Sequence, residues 1–179
     1  MGKNSACGAI LALAALAAPV GAQAAEANAT CLTEAEISAL AVYSVPNLIG
    51  AAQVSCAPLL SSKGFLATGG TAMAQRYAAR QELVWPKART ALFKFGGTKD
   101  KDLAMFASLP DDAIRPLMDA LIEQMAAEEI KPGSCRDIER LAEVLDLLDP
   151  ETTGALTGVI VSLALGAKQK PRICPARKL

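Results

Sequence analysis

The chain has 179 residues, of which 18 are Lys or Arg, 18 are Asp or Glu and none is His. This balance argues against a whole-molecule attraction to nucleic acid. The absence of His excludes Ser-His-Asp and Cys-His catalysis and zinc sites that use His. Alanine and leucine dominate, whereas aromatic residues make up only 4%, so the composition predicts an all-α fold.

The N-terminal segment 1–24 has the features of a secretory signal peptide. Lys3 supplies a basic start, residues 9–18 form an apolar run, and Ala22-Gln23-Ala24 has the small-x-small pattern that precedes cleavage. The run is well short of the ~20 residues that cross a bilayer, so a retained anchor is the weaker alternative. We predict a signal peptide at 1–24, a single helical domain at 25–179 without a transmembrane span, and a periplasmic or secreted location.

The next segment predicts a helical hairpin. Thr33 and Glu36 fit a capping box that starts a helix, and Pro46 suits the first turn of a second helix. Each helix would span roughly 12 residues, so an antiparallel return brings Cys56 level with Cys31. We therefore expect a disulfide between these two cysteines.

Three further helical regions follow. A long region from about residue 71 to 95 should kink or restart at Trp85-Pro86, and a short helix is expected at 100–107. A third helix begins after Pro110. Its apolar residues recur at the spacing of one buried stripe, namely Ile114, Leu117, Met118, Leu121, Ile122 and Met125.

The last two helices are predicted from capping residues and a small-residue edge. Ser134 should cap one helix, and Thr152 or Thr153 the next. The first of these should bury Ile138, Leu141, Leu145 and Leu148. In the second, small residues recur every four positions, at Gly154, Gly158, Ser162 and Gly166. That edge favours a core helix that the backbone of another helix approaches closely. A dimerisation face inside a membrane is the alternative, but the apolar run is too short to span a bilayer.

Four cysteines remain once the leader, with Cys7, is removed. They allow three pairings. If Cys31 pairs with Cys56 in the hairpin, the remaining disulfide joins Cys135 to Cys174, which lies on a Pro-rich tail that can fold back. There is no C-x-x-C and no His to lower a thiol pKa, so a structural role is favoured over a redox one. The predicted fold is a small bundle of six to seven helices built from hairpins and stapled by Cys31–Cys56 and Cys135–Cys174.

Catalytic motifs are sparse. No Ser has a Lys three residues on, and there is no EF-hand loop, phosphate-binding glycine loop or dinucleotide fingerprint. The carboxylate pairs Asp111-Asp112 and Glu128-Glu129 leave a carboxylate-based hydrolase as a minor alternative, but adjacent helical residues do not face each other. No metal, cofactor or catalytic residue is predicted.

Charge is segregated along the chain. Residues 76–101 hold seven basic and two acidic side chains, and residues 102–151 hold 13 acidic and four basic ones. Either these regions face each other within the fold, or the basic region forms a surface for an anionic envelope component or an acidic protein. The residues of that second possibility are Arg76, Tyr77, Arg80, Trp85 and Arg89.

Two short motifs carry a resemblance to a known group. Cys31-Leu32-Thr33, followed by Cys56 as a second cysteine, and the later Trp85-Pro86-Lys87-Ala88-Arg89 resemble a group of uncharacterised secreted proteins of alphaproteobacteria. No activity is attached to that group. The resemblance implies a Gram-negative periplasm and nothing about a reaction.

Together these features predict a non-catalytic binding or envelope-associated module. The main alternative is a carrier for a small apolar or lipid-like ligand. Its cavity would lie between helices and be lined by Met73, Tyr77, Trp85, Met118 and Met125. An enclosed cavity would favour the carrier, whereas a solid core with an exposed basic and aromatic patch would favour the binding module.

Overall fold

The computed structural model describes residues 31–96, 106, 108–165 and 172–175. Within them the protein is an all-α bundle cross-linked by two disulfides, as predicted. The predicted signal peptide and most of the predicted 100–107 helix lie outside the described residues. The helices are α1 (Glu34–Cys56), α2 (Phe65–Thr68), α3 (Gly70–Ala78), α4 (Gln81–Gly96), α5 (Asp111–Glu129), α6 (Cys135–Asp146) and α7 (Pro150–Leu165), with a 3-10 turn at Pro132–Ser134.

Helix α1 is the centre of the bundle, and α3, α4, α5 and α7 all pack against it. Buried residues occur around its whole circumference, as expected of a helix covered on several sides. Within the described residues it is also the one helix long and apolar enough to cross a membrane, a test that a buried core helix passes equally.

The start of α1 confirms the predicted capping box. The Thr33 hydroxyl accepts the Glu36 backbone N–H at 3.2 Å, and the Glu36 carboxylate accepts the Thr33 N–H at 2.9 Å. Both interactions satisfy donors that a helix start otherwise leaves without a partner. Leu32 and Ile37, which flank this box, are buried in the same apolar cluster.

The predicted first hairpin is wrong, because Pro46 lies inside one continuous helix. Proline removes a backbone hydrogen bond at a cost of about 3 kcal/mol, but burial of Val45 and Ile49 against the surrounding helices outweighs that local effect. The 25 positions from Cys31 to Cys56 therefore extend roughly 37 Å along α1. Their Cα atoms cannot come within the ~7 Å that a disulfide requires.

The predicted disulfide pairing is corrected accordingly. Cys31 pairs with Cys174, and Cys56 pairs with Cys135. At one end of α1, a single parallel bridge between Leu32 and Ile173 brings the C-terminal segment alongside the first residues. At the other end, the start of α6 meets the last residue of α1. The two disulfides thus fasten opposite ends of the central helix to the second half of the chain.

The helix break predicted at Trp85-Pro86 is instead found earlier in the chain, between Ala78 and Gln81. α3 ends at Ala78, and α4 begins at Gln81 after a two-residue turn. Pro86 is inside α4, and both Trp85 and Ala88 are buried beside it. As at Pro46, packing against α1 keeps the helix continuous through a proline.

The N-termini of the last two helices are capped differently from the prediction. The Ser134 side chain makes no cap hydrogen bond; its hydroxyl donates to the Lys131 carbonyl at 2.7 Å. At α7 the cap is Asp149, whose carboxylate accepts the Thr152 backbone N–H at 2.8 Å. Asp is as good a cap as Thr, and Asp149 stands immediately before the first helical residue.

The predicted apolar stripes of α5 and α6 are only partly buried. In α5, Ile114 and Met118 are buried and Ile122 is half-buried, but the other three positions are exposed. In α6, Leu141 is exposed and the other predicted positions are half-buried. Both helices therefore leave apolar side chains on the surface.

The small-residue edge of α7 packs on α1 as predicted for Gly154 and Gly158. A Cβ atom at Gly154 would lie 2.6 Å from Cγ2 of Val42, and one at Gly158 would lie 2.8 Å from the Glu34 carbonyl oxygen. Only glycine permits this approach. The prediction of an ordinary core helix holds for this side of α7 only, because the opposite face of the helix is exposed.

Candidate functional site

The predicted basic and aromatic surface lacks its aromatic side chains. Tyr77 is 0% exposed and Trp85 is 1% exposed. The Tyr77 hydroxyl is hydrogen-bonded to the Thr153 hydroxyl at 2.8 Å inside the bundle. Both rings are large apolar bodies, and each is more favourably used to fill the space around α1 than to cover a surface.

The three arginines of that predicted surface are paired with carboxylates from later in the chain. The pairs are Arg76 with Asp146 at 2.5 Å, Arg80 with Glu151 at 2.9 Å and Arg89 with Asp111 at 3.4 Å. Basic and acidic regions therefore face each other within the fold, which was the first of the two interpretations of the charge segregation. Exposed pairs of this kind contribute about 0–1 kcal/mol each, so they add little to the stability of the fold.

Of the five residues predicted to line one carrier cavity, four belong to two different apolar clusters. Met73 and Tyr77 pack with the C-terminal half of α1, whereas Trp85 and Met118 pack with Tyr43. The predicted single cavity is thus divided by α1 itself. Met125, the fifth residue, is 55% exposed and lies on an open groove instead.

This groove runs between α1, α4 and α5 and has a volume of about 530 Å³. We call it the α5 groove. Three of its apolar residues, Phe95, Leu121 and Met125, are about half-exposed at its rim. Only Ser44 and Glu129 of its lining carry a polar side chain. The complete lining is Leu40, Ser44, Leu48, Leu92, Phe93, Phe95, Met118, Leu121, Ile122, Met125, Ala126 and Glu129.

A second apolar groove, of about 340 Å³, lies on the other side of the α5 C-terminus, toward α6. Leu48, Ala126 and Glu129 line both grooves. The end of α5 therefore lies over a wider apolar surface of α1 and divides it in two.

An aromatic pair lies directly behind the α5 groove. The Tyr43 and Trp85 rings have centroids 5.0 Å apart, and the Arg115 guanidinium lies 4.8 Å from the centroid of the Trp85 ring. Arg115 also forms an ion pair with Glu82. Burial, and then the neighbouring Asp119 carboxylate, raise the pKa of Tyr43 well above its usual range. This phenol stays neutral and packs with Met118, a lining residue of the groove, in one buried cluster.

Two carboxyl groups of the described residues have a lowered pKa. Hydrogen bonds from Arg115 to Glu82, and from Thr152 to Asp149, lower the pKa of each carboxyl, as expected of ordinary ion pairs and caps. In the described part of the chain, no group of three or more Cys, Asp or Glu side chains is placed to hold a metal ion. The two grooves are lined almost entirely by apolar side chains.

Comparison of the chain with protein-family models, with curated proteins and with solved structures gives no match. The resemblance to secreted alphaproteobacterial proteins stays a prediction. The site is therefore interpreted from its own residues alone.

Sequence reasoning identified Met118 and Met125 but missed α4's contribution to the groove. Leu92, Phe93 and Phe95 come from the last turns of α4. The α5 stripe predicted an apolar face but gave no signal for the groove, since six apolar positions over about three turns are ordinary for a helix that packs on a core.

Proposed function

We propose that the protein is a non-catalytic carrier for an elongated apolar ligand, such as an acyl chain, and that the α5 groove is its binding site. The groove is open, unlike the enclosed cavity expected of a carrier, and the observation that carries this proposal is its half-exposed apolar rim. Its volume of about 530 Å³ lies within the ~300–1,000 Å³ of small-molecule sites. The two disulfides are consistent with a protein that works outside the cytoplasm, and with the predicted leader they support a periplasmic location.

The lining supports an apolar rather than a polar ligand. Ser44 and Glu129 are its only polar side chains, so a polar ligand would lose its water without gaining enough hydrogen bonds. Met118 and Met125 have flexible thioether side chains that adapt to ligands of different shape. Each methylene removed from water contributes about 0.8 kcal/mol, so a chain of several carbons is held without any polar anchor.

Envelope association without a carried ligand remains the second candidate. It is favoured by the exposed apolar face of α7, which lines neither groove. A basic surface that binds an anionic envelope component is disfavoured, because Arg76, Arg80 and Arg89 form ion pairs within the fold.

The carrier proposal is tested with a fluorescent polyunsaturated fatty acid that accepts energy from tryptophan. Trp85 is the only tryptophan, and it packs with Met118 behind the groove, so energy transfer from it reports occupancy directly. We expect saturable binding by the wild type. Met125→Glu should weaken it at least tenfold, because the ligand would bury an unpaired carboxylate.

The matched control is Leu147→Glu, which makes the same chemical change at a side chain that is 82% exposed and lies outside both grooves. It should bind like the wild type. Equal binding by Met125→Glu and wild type, or no binding by the wild type, refutes the α5 groove as a carrier site. Native mass spectrometry of protein purified from its own periplasm then identifies the ligand, and an unliganded monomer would count against the carrier.

A further inference from the structure

The α5 groove has two ends that differ in charge. Helices α1 and α5 run in the same direction along it, since the Asn47 amide donates to the Asp119 carboxylate at 3.0 Å. Further along both helices, a Cβ atom at Gly50 would meet the Glu123 carboxylate at 3.8 Å. Glu129, in the last turn of α5, therefore lies at the end of the groove nearer the C-terminus of α1.

The opposite end of the groove holds a charge that is already neutralised. Leu40 and Phe95 line the groove there. The Lys94 ammonium group, next to Phe95 in sequence, lies 2.6 Å from the Glu36 carboxylate, and both side chains are mostly buried. This lysine has its charge partner within the fold, so it offers little to a ligand.

Glu129 brings a negative charge to the groove without a counter-charge. Its side chain is exposed and lines both the α5 groove and the second groove. Among the residues that the structure describes, its carboxylate has no hydrogen-bond or ion-pair partner. The last turn of α5 contains no basic residue, and the C-terminus of a helix is the negative end of its dipole. The charge of Glu129 adds to that of the helix end, so this end of the groove attracts a cation.

We infer that the ligand of the α5 groove is a cationic amphiphile, whose apolar chain lies in the groove and whose ammonium or guanidinium group binds the Glu129 carboxylate. This inference rests on the carrier function proposed above and adds the chemical class of the headgroup. The apolar lining binds the chain by removing it from water. Because Glu129 borders both grooves, the headgroup keeps one position whichever groove the chain enters.

The same end of the groove disfavours an anionic headgroup. A carboxylate or phosphate there would lie beside a like charge and the negative end of a helix. A fatty acid binds with its carboxylate directed away from Glu129, so it gains the apolar contacts without an ion pair. The groove should therefore bind a cationic amphiphile more tightly than an anionic one of the same chain length.

The test is calorimetric titration of the protein with dodecylammonium and with dodecanoate, each below its micelle concentration. The two probes share one chain and carry opposite headgroup charges. One exposed charge pair changes affinity only a few-fold, but exchanging a cation for an anion replaces an attraction by a repulsion, so we expect a preference for dodecylammonium of at least about fivefold. At about 0.5 M salt, where exposed charges are screened, the preference should become much smaller.

Glu129→Gln removes the charge and keeps the shape of the side chain, so the two probes should then bind about equally. The matched control is Glu128→Gln, which removes the neighbouring charge outside both grooves. The Glu128 carboxylate instead accepts the Gln124 amide at 2.9 Å, and this variant should keep the wild-type preference. Both glutamates are exposed, so an unchanged Tm is expected and verifies that the variants fold.

The outcomes separate the headgroup from the carrier function. Equal binding of both probes by the wild type, or tighter binding of dodecanoate, refutes the cationic headgroup and leaves the carrier function standing. An undiminished preference in Glu129→Gln refutes the assignment of the cation to this carboxylate. Binding of neither probe by the wild type refutes the carrier function and the headgroup together.

Discussion

The contact between α1 and α7 makes Gly158→Ala a test of the packing at the centre of the bundle. The added methyl carbon would lie 2.8 Å from the Glu34 carbonyl oxygen and 3.1 Å from its Cγ atom. The side-chain atom can move away, but the carbonyl oxygen is part of the first turn of α1. Relief of this contact therefore requires the two helices to separate.

Two opposing effects set the magnitude. Alanine is a better helix former than glycine by about 0.5–1 kcal/mol, whereas overpacking a tight contact costs about 1–3 kcal/mol. We expect Gly158→Ala to lower the free energy of unfolding by about 1–2 kcal/mol. In a domain of this size the Tm should fall by about 3–6 °C.

The matched control is Gly50→Ala, the same substitution inside α1. A Cβ atom there meets only Oε1 of Glu123, at an ordinary 3.8 Å, so this variant gains helix propensity without a clash and should be more stable by about 0.5–1 kcal/mol. Urea unfolding followed by circular dichroism measures both variants. If Gly158→Ala is as stable as Gly50→Ala, the close approach of α1 and α7 is not a feature of the folded protein.

Three further predictions follow from the buried groups and the cross-links. The Lys94 ammonium group lies 2.6 Å from the Glu36 carboxylate, which is 7% exposed. Lys94→Met leaves this carboxylate without its charge partner, so the free energy of unfolding measured in urea should fall by about 3–5 kcal/mol. The double variant Lys94→Met/Glu36→Gln should recover part of the loss, and no recovery would contradict the pairing. Burial raises the pKa of Tyr43 and Tyr77, the only two tyrosines. Because the tyrosines of the unfolded chain ionise first, the free energy of unfolding should keep its full value below about pH 10 and fall as the pH rises toward the folded-state pKa. Tyrosinate absorbance near pH 10 in the folded protein would count against this prediction. Peptide mapping without reduction should recover the two disulfides described above, and a peptide that joins the cysteines at opposite ends of α1 would be incompatible with a continuous central helix.

Local chemistry in the sequence predicted the start of α1 correctly but misplaced the caps of α6 and α7. The Thr33 and Glu36 capping box was found because both partners lie within three residues of each other. Pro46 was misinterpreted because its local effect favours a break, whereas the packing that overrides it comes from residues far along the chain. That one error also led to the wrong disulfide pairing, since a hairpin and a straight helix place Cys56 at opposite ends of the bundle.

The candidate site was harder to predict because it depends on which surfaces have no neighbour. The spacing of the α5 residues predicts an apolar stripe but not that Leu121 and Met125 lie at the rim of a groove. Likewise, the small residues of α7 predicted a close helix contact, while exposure of the opposite face depends on where the other helices pack. Trp85 was expected on a surface because basic residues surround it in sequence, yet the arginines near it pair with carboxylates that belong to later helices.

The open apolar grooves bear on why the protein is cross-linked. Large apolar side chains such as Met125 and Leu163 remain exposed, so they contribute less to stability than buried ones would. The disulfides close loops of 143 and 79 positions, and the chain-entropy model assigns such loops about 5 and 4.5 kcal/mol of destabilisation of the unfolded state. A fold secured at both ends of α1 can keep its binding surfaces open, because its stability depends less on covering them. We therefore expect reduction of the disulfides to lower the stability of the fold first, and ligand binding to be lost only as the helices separate.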